Sequence, residues 1–331
     1  MTVGQRASTD PDLRSALSFG LDSTPSDDAI RVAGYIATAF GPSAAALIHY
    51  GSHVQRSDAR PGSELDFFVI VDDYDEAYES FTAATGPRFT AGTAATLARV
   101  LAPNALAVSV PGELALRAKT VVFSIRDFER RCSAKAPDHF VQGRLFQYAQ
   151  LVWTRDQATR ARIVGVIADA RARTFDWGRP FLPRRFDVDA YVASLLRTSF
   201  SAEIRPEPSE RIEMLLEAQK RLLRRIYEPL LIHLADSGVL RRVGEGQYSD
   251  LSPPDPRARR RIRAYFVRSK VRATTRWVKF IVLYDDWLGY ITQKIERRTG
   301  KPIELTERER RYPLIFLWPK AVRFILSRPQ K

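Results

Sequence analysis

Ala44-Ala45-Ala46-Leu47-Ile48-His49-Tyr50-Gly51-Ser52 is followed, after a polar stretch, by Glu64-Leu65-Asp66-Phe67-Phe68-Val69-Ile70-Val71. The first run is apolar up to Tyr50 and stops at a glycine, which predicts a buried strand ending in a bend. The second opens with two acids and continues as Phe67 to Val71, too apolar for an exposed edge strand. Side chains at i and i+2 of a strand share a face, so Glu64 and Asp66 are expected to project together while Leu65 and Phe67 enter the core. Residues 53–63 are polar, contain Pro61-Gly62, and read as a loop.

Carboxylates held side by side repel, and both ionise readily only with a cation between them. Mg²⁺ takes one or two carboxylates and completes its shell with phosphate oxygens and water. Gly51 lets backbone approach a phosphate closely, and the Ser52 hydroxyl and amide can donate to it. An isolated Glu-x-Asp is commonly a solvated strand face, and a Gly-Ser pair is commonly an ordinary turn. The two together, leading into a buried strand, point to a Mg²⁺-nucleotide site. Glu64 and Asp66 are its candidate metal ligands, with Tyr50, Gly51 and Ser52 against the nucleotide.

The chain of 331 residues is 45 % apolar and can bury a sizeable core. Cys132 is the only cysteine, which excludes an internal disulfide and a thiolate zinc site and suggests no nucleophile. The first residues read as neither a secretory signal nor a transit peptide, and no run approaches the ~20 apolar residues that span a bilayer. The net charge of +14 calls for an acidic partner: nucleotide, nucleic acid or an anionic membrane surface. It is concentrated between Arg257 and Lys279, which holds ten Lys or Arg and no acid.

Patterning predicts a helix over 27–40, strands over 44–50 and 64–71, and a helix over 72–84. Strands over 105–110 and 118–125 follow, then a helix opening at Arg126-Asp127 and a helix pair over 136–153 broken at Pro137. This alternation suits an α/β domain over 1–153. Helical spacing recurs over 188–200, 210–237 and 259–298, giving a mostly helical middle domain over 154–254 and a basic amphipathic helical region over 255–331. Ser252-Pro253-Pro254-Asp255-Pro256 is the expected hinge between them. His139 and His233 read as ordinary helix residues, and Asp127 as a helix cap.

The Gly-Ser bend, loop and acid-hydrophobic-acid strand start resemble the signature of the nucleotidyltransferase superfamily. That resemblance implies a mixed sheet flanked by helices. Later segments resemble the mitochondrial-type phosphatidate cytidylyltransferases, the translocator assembly and maintenance family of CDP-diacylglycerol synthases. These are Lys119-Thr-Val-Val-Phe-Ser-Ile-Arg-Asp127, Gly143-Arg144-Leu145, Ser199-Phe-Ser-Ala-Glu-Ile-Arg205 and Ile226-Tyr-Glu-Pro-Leu-Leu231. The similarity runs in order over about residues 44–232. His53 replaces a second glycine after Ser52, Ala202-Glu203 replaces Gly-Asp, and 119–125 supplies no third strand acid. The resemblance implies roles for Lys119 beside the triphosphate and for Arg144 and Arg205 as phosphate clamps. Each of the three also suits an ordinary solvated or ion-paired position.

On a helix, the cations of 257–279 interleave with Ile262, Tyr265, Phe266, Val267, Val271 and Trp277 to give one apolar and one cationic side. Such a helix can lie in the headgroup layer of an anionic membrane, or pack its apolar side in a core and leave the arginines solvated. Basic residues between aromatics also suit RNA, but no RNA-module signature accompanies them. The resemblance favours lipid. The expectation is a Mg²⁺-dependent enzyme that takes CTP and phosphatidic acid, cytoplasmic and peripheral to the inner face of a membrane. The alternatives are a soluble nucleotidyltransferase acting on RNA, protein or a small hydroxylated acceptor, and an inactive membrane-binding scaffold.

Overall fold

The computed structural model describes residues 10–55, 64–86, 89–113, 116–202, 209–252, 255–283 and 306–311. Strand β1 (Ala44–Tyr50) is buried at every residue, so it needs cover on both faces. It is the fourth strand of a five-stranded mixed sheet. In sequence order the others are β2 (Leu65–Val71), β3 (Asn104–Ser109), β4 (Arg117–Ser124) and β5 (Gln150–Thr154), and the spatial order is β3-β4-β2-β1-β5. Only β2 and β4 run parallel; the other neighbours are antiparallel.

Alternation along the strands divides the core into two layers. In chain order the first helices are α1 (Pro11–Leu17), α2 (Asp27–Phe40), α3 (Ser52–Gln55), α4 (Tyr74–Thr85) and α5 (Ala91–Leu101). Leu47, Phe67, Val69, Val71 and Val122 face one side of the sheet and pack against α2, α4 and α5. Ile48, Tyr50, Phe68, Ile70, Val121 and Phe123 face the other side. They are covered by α6 (Ile125–Cys132), α7 (Gln142–Leu145) and α8 (Gln157–Ala172). A third cluster joins α1 to α9 (Thr174–Gly178), α10 (Val188–Ser201), α11 (Ser209–Asp236), the hairpin β6 (Leu240–Gly244) and β7 (Gln247–Asp250), and Phe266 of α12 (Pro256–Leu283).

The local signals are those a sequence can carry. Ser26 caps α2 and Asp73 caps α4, each accepting first-turn amides. The cap of α6 is Ser124, whose hydroxyl accepts from the Asp127 amide; Asp127 sits in the first turn and accepts from the Tyr74 hydroxyl at 2.9 Å. The expected helix pair over 136–153 is instead the short α7 followed by β5, and His139 lies in the loop before α7. Gln150 to Thr154 becomes a strand because it pairs with β1, a long-range partner that helical spacing cannot reveal.

By contacts the chain divides into residues 1–283 and 284–331, so the boundaries expected near 153 and 254 fall inside one unit. Phe266, Ser269, Lys279 and Leu283 are buried along one face of α12, while Arg257, Arg259, Arg260, Arg261, Arg263 and Arg268 are exposed. Ile262, Tyr265 and Phe266 pack against the core, whereas Val267 and Val271 of the expected apolar side are exposed, at 61 % and 59 %, beside the solvated arginines. Residues 284–298 of the expected long helix, and residues 253–254 of the expected hinge, lie outside the described residues. In the second unit, α13 (Glu307–Arg311) opens with Thr306 and Glu309 exchanging cap hydrogen bonds. Among the described residues, no helix is long and apolar enough to cross a membrane.

Candidate functional site

Strand pairing puts Tyr50 opposite Asp66 and Asp66 beside Lys119. These three residues form one row across β1, β2 and β4, on the face that carries Ile48, Phe68 and Val121. The row lies where β1 ends and where β2 and β4 begin, so the bend after β1 is next to it.

Gly51 makes that bend with φ +89°, a left-handed conformation that glycine adopts without strain. A Cβ at this position would stand 2.8 Å from Oδ2 of Asp66. The acid therefore leans over the glycine, and only a residue without a side chain permits that approach. Ser52 begins the single helical turn α3, whose Val54 and Gln55 amides return to the Gly51 carbonyl at 3.2 and 3.0 Å. The first part of the expected loop is thus helical, and residues 56–63 lie outside the described residues.

Glu64 is partly exposed and stands one residue before β2, which opens at Leu65 rather than at Glu64. Strand pairing fixes Asp66 but not Glu64. Lys119 is partly exposed within β4. Tyr50 is only 4 % exposed, and its ring stacks on Phe68 with centroids 4.1 Å apart. That ring is core, and it fixes the height of the bend.

Arg144 reaches the same face through a ladder of rings. Its guanidinium lies 5.5 Å from the centroid of Phe140, and Phe140 packs edge-on against Phe68 at 6.0 Å. The loop beside Arg144 is held by Arg171 of α8, fully buried, which donates to the carbonyls of Leu17, Phe19, Leu145 and Gln147. A Cβ at Gly143 would meet the Ser199 hydroxyl at 2.9 Å and the His139 ring at 3.0 Å. Gly143 therefore lies against Ser199, whose hydroxyl is 3.1 Å from Nε2 of His139. Arg205 and Glu203 lie outside the described residues.

Burial sets the protonation of the nearby histidines. It pushes His49 down to about 4, helped by the charge of His53. His49 faces away from the site and stacks on Phe67 at 4.9 Å. Burial likewise pushes His139 down to about 3, with Arg144 adding to the effect. Both are neutral near pH 7, so neither brings a cation to the site.

A second group of side chains borders the site. Asp138, fully buried, accepts from Arg131 and Arg276, with Arg272 close by. A sequence signal exists for it: Asp138 is the only acid between Arg130 and Arg155. Its partners, however, are 130-odd residues apart in part, beyond any local spacing. Among the described residues, no group of three or more His, Cys, Asp or Glu converges to hold a metal. The two acids at the start of β2, Asp66 and Glu64, are the residues that could hold a divalent cation sharing its shell with phosphate oxygens. No protein-family model matches the chain, and no curated protein matches it significantly.

Proposed function

We propose that the protein is a Mg²⁺-dependent nucleotidyltransferase, and specifically a phosphatidate cytidylyltransferase working at an anionic membrane surface. The observation that carries the nucleotidyl-transfer reading is the approach of Asp66 to the Gly51 bend, in line with Lys119. A carboxylate beside a glycine bend and a lysine gives both signs of charge that a metal triphosphate presents. CTP and phosphatidic acid as substrates rest on the family resemblance of 119–127, 143–145 and 199–205. The exposed arginines of α12 suit an anionic lipid surface.

Asp66 and Glu64 would hold Mg²⁺, which when bound offsets charge on the phosphates and orients the α-phosphorus. Gly51 admits the phosphates close to backbone, and the Ser52 hydroxyl donates to them. Lys119 offsets charge on the tail that leaves. An oxygen of the acceptor phosphate attacks the α-phosphorus, the bond to the bridging oxygen breaks, and pyrophosphate departs with that electron pair. The acceptor oxygen is already ionised, so no general base is required of the chain. This accords with neutral, buried His49 and His139.

The test is transfer from radiolabelled CTP to phosphatidate vesicles by the full chain. Chloroform-soluble label is expected from the parent, with a loss of roughly 10³-fold in Asp66→Asn. Equal labelling by both removes Asp66 from the chemistry. Labelling of RNA or a small alcohol, but not of lipid, replaces the acceptor.

A further inference from the structure

Three guanidinium groups converge on one carboxylate oxygen, on the sheet side that carries Asp66. Oδ2 of Asp138 accepts from Nη1 of Arg131 at 2.7 Å and from Nη2 of Arg276 at 2.5 Å. Nε of Arg272 lies 3.5 Å from the same atom. The other oxygen, Oδ1, accepts from the Phe140 amide at 3.1 Å. Three cations therefore share one anion, a net of +2.

The cluster is well shielded from water. Asp138 is 0 % and Arg131 1 % exposed, and Arg276 is 12 % exposed. The Nε atoms of Arg131, Arg272 and Arg276 are buried and have no hydrogen-bond partner among the described residues. Arg272 is the most exposed of the three, at 33 %. Lys279 is pushed down to about 7, by burial first and then by Arg276 and Arg131.

A buried knot built for stability alone would balance its charges, because an uncompensated buried cation is costly. Arginine forks with spare Nε donors, here set against the rings of Phe123 and Phe140, are suited to a phosphate group. We propose that Arg131, Arg272 and Arg276 form a phosphate subsite, in which Asp138 is the internal counter-ion that keeps the three forks aimed. The ligand class is a phosphate or pyrophosphate dianion.

Its place in the fold couples it to the row of Tyr50, Asp66 and Lys119. Arg276 and Arg144 both border the ring of Phe140, at 5.1 and 5.5 Å, and that ring packs on Phe68, two residues along β2 from Asp66. Arg272 and Arg276 belong to α12, so the basic helix completes the subsite with its inner face while its outer face stays exposed. That the phosphate belongs to a substrate of the proposed transfer rests on the reading above; the subsite itself does not. The phosphate could come from the nucleotide tail or from a lipid headgroup.

Calorimetric titration of the full chain separates these. The probes are inorganic pyrophosphate, CTP without divalent metal, and short-chain phosphatidate, with short-chain phosphatidylcholine as the uncharged-headgroup control. The parent is expected to bind pyrophosphate. Arg272→Gln should weaken it about tenfold or more with little change in thermal midpoint, and Arg272→Lys should restore part of it. Asp138→Asn should be less stable yet bind pyrophosphate more tightly, an outcome that a purely structural knot would not give. Arg272 dependence of phosphatidate binding assigns the headgroup; Arg272 dependence of CTP binding assigns the nucleotide tail. Unchanged binding of every probe by Arg272→Gln and by folded Arg276→Gln overturns the subsite. Transfer activity that persists alongside that result leaves the proposed function standing. Arg272-dependent pyrophosphate binding without transfer activity leaves the subsite standing alone.

Discussion

Asp66 and Asp138 border the same layer of the sheet, and the fold treats them in opposite ways. Asp138 is fully buried and shared among three arginines. Burial raises its pKa, and Arg276 and Arg131 more than reverse this, so it stays ionised. Asp66 is partly exposed, flanked in register by Tyr50 and Lys119, and set against a glycine. The first acid organises cations inside the protein. The second, in the transfer proposed above, would meet a cation from outside. Exposure to solvent, rather than residue type, separates the two settings.

The contrast can be broken most forcefully at Asp138. Asp138→Ala leaves buried guanidinium groups unpaired, and denaturant unfolding is expected to show a loss of about 3–5 kcal/mol. Asp66→Asn should cost less than about 1 kcal/mol in the same experiment, since it is a partly exposed isostere. Comparable losses from both would erase the distinction.

Acid tests the buried histidines around the same layers. Above pH 6.5 His49 is neutral folded and unfolded, and contributes nothing to pH dependence. Below it, the unfolded chain takes up a proton that the folded chain refuses until about pH 4. Stability should therefore fall as pH drops through this window, by about 3 kcal/mol from His49. His49→Phe, which keeps a ring on Phe67, should flatten that part of the profile in urea titrations run at each pH. An unaltered profile would mean that His49 is protonated in the folded protein.

Smaller effects sharpen the site itself. Gly51→Ala places a Cβ against Asp66 and forces a positive φ on a side-chain residue, at about 1–3 kcal/mol. Gly86→Ala, which meets nothing nearby despite its own positive φ, is the control for strain without a clash. Transfer activity should fall at Gly51 and persist at Gly86. Lys119→Gln should lower kcat/KM about tenfold while leaving the unfolding midpoint in place. An unchanged kcat/KM would return Lys119 to the solvated surface.

The nearness of Gly51 to Asp66 was legible because its parts are short-range. An apolar strand, a glycine and an acid-led apolar strand each carry their own signal, and the β1–β2 pairing brings Gly51 and Asp66 together. The mixed sheet with flanking helices agrees with that reading. Glu64 was placed inside the strand by alternation alone, and the ladder begins after it. β5 was missed because its five residues fold by pairing with β1, more than 90 residues earlier in the chain. The arginine cluster was missed for the same reason. Arg131 and Asp138 lie on either side of a short loop, but Arg272 and Arg276 come from a helix whose charges read locally as one cationic face. Periodicity predicts an apolar and a basic side of α12, yet Val267 and Val271 are exposed with the basic one. It could not show that two of the arginines turn inward with the apolar side.

Titration of CTP with Mg²⁺ into the full chain tests the central claim most directly, using the parent, Asp66→Asn and Asp127→Asn. Asp127 is the control acid, held at the other end of the sheet by Tyr74 and Arg130. Metal-dependent heat is expected from the parent and from Asp127→Asn, and none from Asp66→Asn. Metal-dependent binding that survives in Asp66→Asn would contradict the account.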